Sequence, residues 1–465
     1  MIKYDLIIIG AGMAGLPCAI HAADKNLSVL LIEESKNIGG KLIRSSGQIS
    51  AAGTTLQKKL NITDSADDHL KEAWKICNET ANLSLLRLAI DNAADTVEWL
   101  IDIGVKFPKE HPVISYNHDT YSTRRYQWPI NYGKSILDAF LPLIDKHIDN
   151  KKIIILTECK ALDIKLDIKS SKVITIQNNK RKIFHSKFIA LTGGGYTDNQ
   201  KLFKKYSPES TLYTSKSSIS KGSVIKIAEK IGCKISGGDL YKGMLGGVLE
   251  NPDDNFSILS LINTIPQSRM PWEIWVNNEG NRFMREDHPS ATYREHKVNE
   301  QRFLKFFIIF DEGIKQNAPS IFNINHVPST KTISSYDFLI NKENTVKKLA
   351  KKIGVDSNNL TKSINVYNDS VDLKRDEYGR EHFPRKILHP PYYAIMSVAY
   401  AMPSPAGICI DQNLRVLNNY NVPIKNLYAA GEIIGNTKIM GNCYISGMGV
   451  GPTITFGRLL AKQLY

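Results

Sequence analysis

Tyr444 is a candidate for proton chemistry because it stands inside the glycine-rich segment GNCYISGMGVG, which spans residues 441–451. Glycines at this density indicate a backbone that turns sharply or approaches another group closely. A phenol paired with a backbone N–H group can polarise a carbonyl and stabilise the enolate that forms from it. A tyrosine among such glycines is therefore a candidate for contact with a carbonyl.

A second set of candidates lies in YSTRRYQW, residues 121–128. Tyr121 is a further candidate for proton transfer. Arg124 and Arg125 are flanked by aromatic residues and could face an anionic, planar substrate, since arginine pairs well with carboxylates. A surface loop held by cation–π packing explains the same pattern equally well, and both interpretations stay open.

A third set lies in NRFMREDHPSATYREH, residues 281–296. Here Ser290 and Tyr293 are candidates for moving a proton, and Arg285 and His288 are candidates for substrate contacts. The alternative is the salt-bridged start of a helix. Tyr400, just before AMPSPAG, could face the same site, although core packing also explains it.

The N-terminal segment carries the pattern needed to hold a nucleotide. An apolar run over residues 4–9 predicts a buried strand, and it leads into Gly10, Gly12 and Gly15 and then a helix rich in small residues. A second predicted strand ends in Glu33, 18 residues after Gly15. Strand, glycines, helix, strand and acid in this order are the dinucleotide-binding fingerprint, with the phosphates at the helix N-terminus.

Further glycine-rich segments favour a long cofactor over a simple nicotinamide nucleotide. NIGGKLIRSSGQISAAGT follows Glu33 directly, and the strand-like runs KFIAL and NLYAA end in GGGYTDN and GEIIGN. Because three remote strand ends would meet one extended ligand, we predict FAD. No second nucleotide fingerprint and no haem or iron–sulfur motif is present, so we expect an external electron carrier.

The composition excludes several other classes of protein. The 465 residues carry a net charge of +14, but the lysines are dispersed, so we do not expect nucleic-acid binding. No run of 18 apolar residues or secretory signal is evident, and we expect a cytoplasmic protein without a transmembrane segment. The six cysteines form no CxxC and the histidines no cluster, so we predict free thiols and no metal.

Taken together, the segments resemble the fumarate reductase and succinate dehydrogenase flavoprotein family. The matching stretches are the N-terminal fingerprint, IGGKLIRSSGQISAAGT, IALTGGGY, NNEGNRFMRE, HPPYYAI, AGICIDQNLRVLN and NLYAAGEIIGN…ISGMGVGPTITFGR. The resemblance implies an α/β fold with a two-dinucleotide-type, Rossmann-like FAD-binding domain and an inserted α+β capping domain. We expect the FAD-binding domain at 1–240 and 391–465, and the capping domain at 241–390.

The resemblance also implies which residues bind the cofactor. They are Gly10, Gly12, Ala14, Gly15, Glu33, Glu34, Gly40, Lys41, Ser46, Gly47, Ala161, Gly193, Gly194, Glu432, Gly447, Gly449 and Val450. Family members with covalent flavin have a histidine in the loop that corresponds to residues 41–46. This loop has none, so we expect non-covalent FAD.

At the substrate positions the chain departs from the fumarate reductases. Tyr444 and Ser290 stand where that family has its carboxylate-binding and proton-donating arginines, and Pro403 and Met244 fall at or near its two histidines. The 3-ketosteroid 1-dehydrogenases are more similar here, since they have tyrosines close to Tyr444, at the place of Ser290 and in the region of Tyr121. This resemblance implies that Tyr444 and the N–H group of Gly447 form a carbonyl-polarising pair, while a second tyrosine or a serine moves the proton.

The resemblance therefore implies hydride transfer between flavin N5 and a carbon–carbon bond next to a carbonyl, as in an enone reductase or a ketosteroid 1-dehydrogenase. One alternative is a reductase of an unsaturated carboxylate that uses Arg124, Arg125 and Arg285. Another is a flavin-binding redox sensor without catalytic turnover.

Overall fold

The computed structural model describes residues 3–116, 118–208, 213, 219–249, 258–322, 339–401 and 403–464. In chain order the strands and helices are β1 Lys3–Ile9, α1 Gly15–Asp24, β2 Val29–Ile32, β3 Ile49–Ser50, α2 Thr55–Lys59, α3 Ala66–Ile76, α4 Leu83–Asp91, α5 Ala93–Asp102, β4 Tyr126–Gln127, α6 Tyr132–Asp149, β5 Ile153–Leu156, β6 Lys160–Lys165, β7 Ser171–Gln177, β8 Lys180–Leu191, α7 Gln200–Tyr206, α8 Ser223–Lys230, β9 Ile235–Ser236, β10 Met244–Leu249, β11 Ile258–Leu261, β12 Ile274–Val276, α9 Ala291–Asn299, β13 Lys305–Asp311, α10 Glu312–Asn317, β14 Ile340–Glu343, α11 Val346–Ile353, α12 Ser357–Leu373, β15 Tyr392–Tyr400, β16 Gly407–Ile408, β17 Arg415–Leu417, β18 Pro423–Ala429, α13 Thr437–Met440 and α14 Val450–Lys462.

The first sheet has eight strands in the order β17-β18-β8-β1-β2-β5, with β7 beside β8 and β6 beside β7. Strand β1 pairs in parallel with β2 and β8, and β2 pairs in parallel with β5. Parallel strands covered on both faces are apolar throughout, which is why β2, VLLI, is buried along its whole length. The predicted strand at residues 4–9 is confirmed as β1.

The first and last long helices of the chain pack against each other. Helix α1 contacts α14 closely, and a Cβ at Gly457 in α14 would overlap the carbonyl oxygen of Ala14. A glycine is therefore required for this approach. Because of this contact and strand β18, the C-terminal segment completes the domain that the N-terminal segment begins.

The second sheet has six strands, in the order β11-β10-β15-β13-β12 with β14 beside β15, and its pairs are antiparallel. It has its own apolar core, which includes Trp275, Phe306 and Tyr393. The stretch TVKKLAKKIGVDSNNLTKSINVYNDSV predicts two helices, and these are confirmed as α11 and α12. Gly354 follows α11 with φ 74° and ends it.

The pairing of β15 shifts one expected domain boundary. The sequence placed the return to the first domain at residue 391, but residues 392–400 form the strand that pairs with β10, β13 and β14. We therefore propose that the chain returns after Tyr400. The outgoing crossing, expected at residues 240–241, falls just before β10 begins at Met244.

No helix in the described ranges is long and apolar enough to cross a membrane. Within the same ranges, no group of three or more His, Cys, Asp or Glu side chains is arranged to hold a metal ion. All six cysteines are free and buried.

Candidate active site

In the first glycine loop, residues 10–15, two glycines pack tightly against the backbone and one borders open space. Gly10 has φ 113°, and a Cβ there would overlap the backbone of Thr192, while a Cβ at Gly15 would overlap the oxygen of Gly10. At Gly12 nothing lies within 4 Å of where a Cβ would be. Helix α1 starts at this loop without a side-chain cap, so the positive end of its dipole and the space at Gly12 can accept phosphates.

Glu33 stands beside this loop at the end of β2. Its carboxylate accepts hydrogen bonds from the Ala11 N–H at 2.8 Å and from the N–H and hydroxyl of Ser35 at 2.8 and 2.7 Å. The neighbouring Glu34 forms an ion pair with Lys160 at 3.2 Å. Ribose hydroxyls could take the place of the Ser35 hydroxyl, as the fingerprint predicts for Glu33.

Ala161 is buried in β6, close to the same edge of the sheet. The N–H of Glu158 donates to the Ser35 oxygen at 3.0 Å, and the N–H of Cys159 donates to the Glu33 oxygen at 2.9 Å. The segment before Ala161 is thereby joined to the segment after β2. This supports the predicted contact of Ala161 with the adenosine part of a nucleotide.

The second glycine loop lies against the first. A Cβ at Gly40 would be 3.4 Å from the Cα of Gly12, and Gly40 has φ 53°. Gly47 has φ 66°, and a Cβ there would be 3.0 Å from the nitrogen of Gly133 at the start of α6. Ser46, beside Gly47, is partly exposed. The two loops therefore lie side by side, with Gly12 and Gly40 facing each other.

Glu432 links the second glycine loop to the C-terminal segment. The Lys41 ammonium lies 2.9 Å from a Glu432 carboxylate oxygen, although the two residues are 391 positions apart. The N–H and hydroxyl of Ser404 donate to the other oxygen at 2.9 and 3.1 Å. Gly193 and Gly194 follow β8 in the same region, and Gly194 has φ 70° with nothing within 4 Å of a Cβ position.

The third glycine turn, residues 446–449, packs on the short strand β3. The Ser50 N–H donates to the Gly447 oxygen at 3.3 Å, and the Ser50 hydroxyl donates to the Ser446 oxygen at 2.8 Å. Gly447 has φ 73°, and a Cβ would overlap Ser50. Helix α14 then begins at Val450 after Gly449, without a side-chain cap. Its N-terminus can therefore stabilise negative charge on a group bound beside the turn.

Tyr444 lies between the cores of the two domains. It packs against the core of the first domain and against a small cluster at the second sheet that includes Tyr241 and Tyr400. A Cβ at Gly449 would be 3.3 Å from the Tyr444 hydroxyl, which places that hydroxyl at the start of α14. Burial raises the pKa of Tyr444 to about 12, with Glu432 and Glu295 adding to the rise. The side chain is therefore a protonated phenol at neutral pH.

His118 lies beside Tyr444, with ring centroids 4.2 Å apart. Burial lowers the pKa of His118 to about 4, against the opposing effect of Asp119, so the imidazole is neutral near pH 7. Among the described residues its Nδ1 has no hydrogen-bond partner. His118 was not among the residues predicted from the sequence, although it lies only three positions before Tyr121.

The structure gives Ser290 a positioning role. Ser290 caps α9 by accepting from the Tyr293 N–H at 3.1 Å, and its hydroxyl donates to Asp119 at 2.8 Å. Tyr293 stacks on His288 at 4.0 Å, and burial lowers the pKa of His288. With its hydroxyl committed in this way, Ser290 is a weak candidate for proton transfer.

The three arginines selected from the sequence have internal partners. Arg125 is 1% exposed and forms ion pairs with Asp64 at 2.7 Å and Glu72 at 2.9 Å. Arg124 donates to the Pro112 and Glu110 carbonyls, and Arg285 pairs with Asp287 at 2.9 Å and Glu381 at 3.0 Å. These contacts favour structural roles over substrate binding.

Tyr121 is also held internally. It is buried, and its hydroxyl lies 3.1 Å from His69 Nε2 and donates to the Ser446 oxygen at 3.3 Å. Burial raises the pKa of Tyr121 and lowers that of His69 to about 3. Tyr121 therefore supports the third glycine turn through its hydrogen bond to Ser446. Tyr400, in contrast, belongs to the cluster that contacts Tyr444.

Sequence reasoning missed Glu295, Arg294 and Tyr241. All three are buried, and the Tyr241 hydroxyl donates to Glu295 at 3.3 Å. Because α9 is polar along its length, a Glu in YREH looks like a solvated helix residue. Only the contact between α9 and the segment before β10 shows that Glu295 is buried.

The three loops and the acid fit FAD. Gly12 and Gly194 leave open space, Glu33 lies where ribose hydroxyls would bind, and α1 and α14 both start without a side-chain cap. A dinucleotide bound along these sites would have its phosphates at the start of α1 and its ring system at the turn that contains Gly447. Tyr444 and Tyr400 would then border the ring and any substrate above it.

Comparison with known proteins agrees with this geometry. Residues 5–448 match a protein family described as FAD binding domain. The NADH:fumarate oxidoreductase of Klebsiella pneumoniae (strain 342) is 27% identical over 475 residues, which cover 99% of this chain but 47% of that protein. This chain thus spans about half the length of that relative.

Two further proteins are similar over most of both chains. The vinyl phenol reductase of Lactiplantibacillus plantarum is 26% identical, covering 92% of this chain and 90% of that protein. The 3-ketosteroid Δ1-dehydrogenase structure from Sterolibacterium denitrificans superposes with a TM-score of 0.77 at 19% identity, covering 99% of both chains. The predicted α/β fold is confirmed by this likeness.

Proposed function

Because the chain belongs to the FAD binding domain family, over residues 5–448, we propose that it is an FAD-dependent oxidoreductase acting on a carbon–carbon bond next to a carbonyl. Its relatives bear names of reductases and dehydrogenases of unsaturated substrates, including fumarate, vinyl phenol and 3-ketosteroids. The electron carrier is a separate molecule or protein. FAD is held non-covalently, since the loop of residues 41–46 contains no histidine.

One observation carries the proposal: Tyr444 is a protonated phenol at the N-terminus of α14, between the two domains. An arginine at this position would grip a carboxylate bidentately, whereas a phenol offers a single O–H donor. A single donor suits the oxygen of a ketone, aldehyde or ester. The position therefore supports a carbonyl-bearing substrate.

Bound FAD would supply the hydride exchange with the carbon β to the carbonyl. The residues of this chain act on the rest of the substrate. The Tyr444 hydroxyl donates to the carbonyl oxygen, and the N–H of Gly447 is the second proposed donor. The neutral imidazole of His118 packs against Tyr444 and limits the positions of its ring.

A second candidate function rests on Arg294. This residue is 1% exposed, and its Nη1 donates to the Thr264 oxygen, but among the described residues its Nη2 has no partner. A buried guanidinium with a free donor favours an anion. An unsaturated carboxylate is therefore the alternative substrate, with Arg294 in place of Arg124, Arg125 and Arg285.

The test is anaerobic photoreduction of the purified flavoprotein, followed by separate additions of enones and unsaturated acids. Reoxidation of the flavin by enones supports the proposal, and reoxidation by acids alone supports the Arg294 alternative. Reoxidation by neither class would overturn both, and would leave a flavin-binding redox sensor as the remaining explanation.

A further inference from the structure

Glu295 is a buried carboxyl group without an ion pair among the described residues, although the charge of the neighbouring Arg294 acts on it. The residue is 4% exposed, and among the described residues no Lys, Arg or His nitrogen forms an ion pair with it. Its hydrogen-bond donor is the Tyr241 hydroxyl, 3.3 Å from Oε2. An isolated carboxylate is too costly to bury, so such a group takes up a proton and becomes neutral.

The groups that face Glu295 come from several segments. On α9 itself lies Arg294, and Asp119 approaches from the loop before β4. The phenols Tyr241, Tyr400 and Tyr444 lie close enough to Glu295 for its charge to raise their pKa. Cys443 does so as well, as a buried thiol. Glu295 is therefore the one carboxyl in this set that lies among phenols.

The three phenols also lie close together. Tyr241 and Tyr400 belong to one buried cluster, and the Tyr444 ring packs against it. A hydroxyl that rotates can accept from one neighbour and donate to the next. A carboxylic acid at one end of such a cluster can resupply a proton that is given up at the other end.

We propose that Glu295 stores the proton that the reductive reaction consumes and passes it through the tyrosine cluster to Tyr444. The inference rests on the proposed function. Reduction of a carbon–carbon double bond adds one hydride, from the reduced flavin, and one proton. When Tyr444 gives its proton to the substrate it becomes a phenolate. A proton from the Glu295 carboxyl restores the phenol and leaves a carboxylate, which solvent reprotonates after product release.

The titration of the group agrees with this role. Burial raises the pKa of Glu295 to about 8, with Asp119 adding to the rise and Arg294 and Tyr241 opposing it. The acid is therefore protonated near pH 7 and still able to release its proton. Glu295 acts through the tyrosines, so it is a positioning and relay residue and not a catalytic residue in the strict sense.

The test uses the holoenzyme, with Glu295→Gln and Tyr241→Phe as variants. Glu300→Gln is the control, because Glu300 is exposed near the end of the same helix and pairs with Lys297 at 2.9 Å. The first readout is the infrared carbonyl band of a protonated carboxyl, followed from pH 5 to 10. We expect a band that disappears near pH 8 in the wild type and is absent only from Glu295→Gln.

The second readout is the pH profile of flavin reoxidation by an enone. We expect Glu295→Gln to slow the wild-type rate at pH 7 by about 100-fold, the lower end of what general acid catalysis contributes, and to remove the fall above pH 8. Tyr241→Phe should keep the infrared band and slow the reaction similarly.

If the enzyme turns over, either of two results would overturn the inference. One is the absence of the band from the wild type, and the other is an unchanged pH profile of flavin reoxidation in Glu295→Gln. A protein that shows the band but whose flavin no acceptor reoxidises fails the proposed function, and proton delivery fails with it.

Discussion

The Asp119 carboxylate of the first domain accepts a hydrogen bond at 2.8 Å from the Ser290 hydroxyl, which caps α9 in the second domain. Its other oxygen accepts from the Ala291 N–H at 2.7 Å. These two hydrogen bonds join residues that are more than 170 positions apart in the sequence. They fix the start of α9, and with it Arg294 and Glu295, against the domain that holds the glycine turns.

Asp119→Ala should loosen α9 from the first domain. The change removes two hydrogen bonds at a helix N-terminus, so we expect a loss of about 1–2 kcal/mol of stability. Amide hydrogen exchange should accelerate across residues 291–299. The control is Asp356→Ala, which removes the cap of α12 and should accelerate exchange there only. Unchanged exchange in α9 would show that Asp119 does not position it.

Gly12→Ala and Gly15→Ala should separate cofactor binding from folding. At Gly12 a methyl group meets no protein atom within 4 Å, so we expect the apoprotein to keep its stability but to bind FAD much more weakly. At Gly15 the methyl group overlaps the Gly10 oxygen, so we expect a loss of about 1–3 kcal/mol. Thermal unfolding of the apoprotein and FAD titration measure the two effects. Normal FAD affinity in Gly12→Ala would contradict the assigned phosphate site.

Glu432→Gln should weaken FAD binding. The carboxylate holds Lys41 and Ser404 together beside the cofactor path, and charge-assisted bonds of this kind contribute about 1.5–3 kcal/mol each. We expect roughly a tenfold to 100-fold higher Kd for FAD, measured by flavin fluorescence on titrating the apoprotein. Glu300→Gln serves again as the exposed control. An equal effect of both substitutions would remove Glu432 from the cofactor site.

Stability should depend on pH through Glu295. Its pKa is raised from 4.5 to about 8 in the folded protein, so between these values the folded state binds more protons than the unfolded state. Stability therefore falls as pH rises from 4.5 to 8, by at most about 1.4 kcal/mol per pH unit. Glu295→Gln should flatten this part of the curve in denaturant unfolding. A curve that stays parallel to the wild type would show that Glu295 ionises normally.

The N-terminal fingerprint could be predicted because its signals are local. A strand, three glycines and an acid at fixed spacing imply one loop geometry, and β1, Gly12 and Glu33 follow it. The helices α11 and α12 were likewise predictable from local signals, namely their apolar spacing and Gly354.

The partners of charged residues could not be predicted because tertiary contacts decide them. The sequence left substrate binding and cation–π packing equally open for Arg125, and the fold brings Asp64 and Glu72 to it. Glu295 stands in a polar helix, and only the fold brings the Tyr241 hydroxyl to it. Strand β15 is apolar enough to belong to either sheet, and its pairing with β13 supports our proposal that the chain returns to the first domain after Tyr400.

The central claim is that Tyr444 donates a hydrogen bond to a substrate carbonyl beside the flavin. Its most direct test is the rate of anaerobic reoxidation of the photoreduced flavin by an enone, in wild type and in Tyr444→Phe. Loss of one such donor should slow this rate by about 10²–10³-fold, while the Kd for FAD and the flavin spectrum stay unchanged. A Tyr444→Phe variant that reoxidises as fast as the wild type would contradict the account.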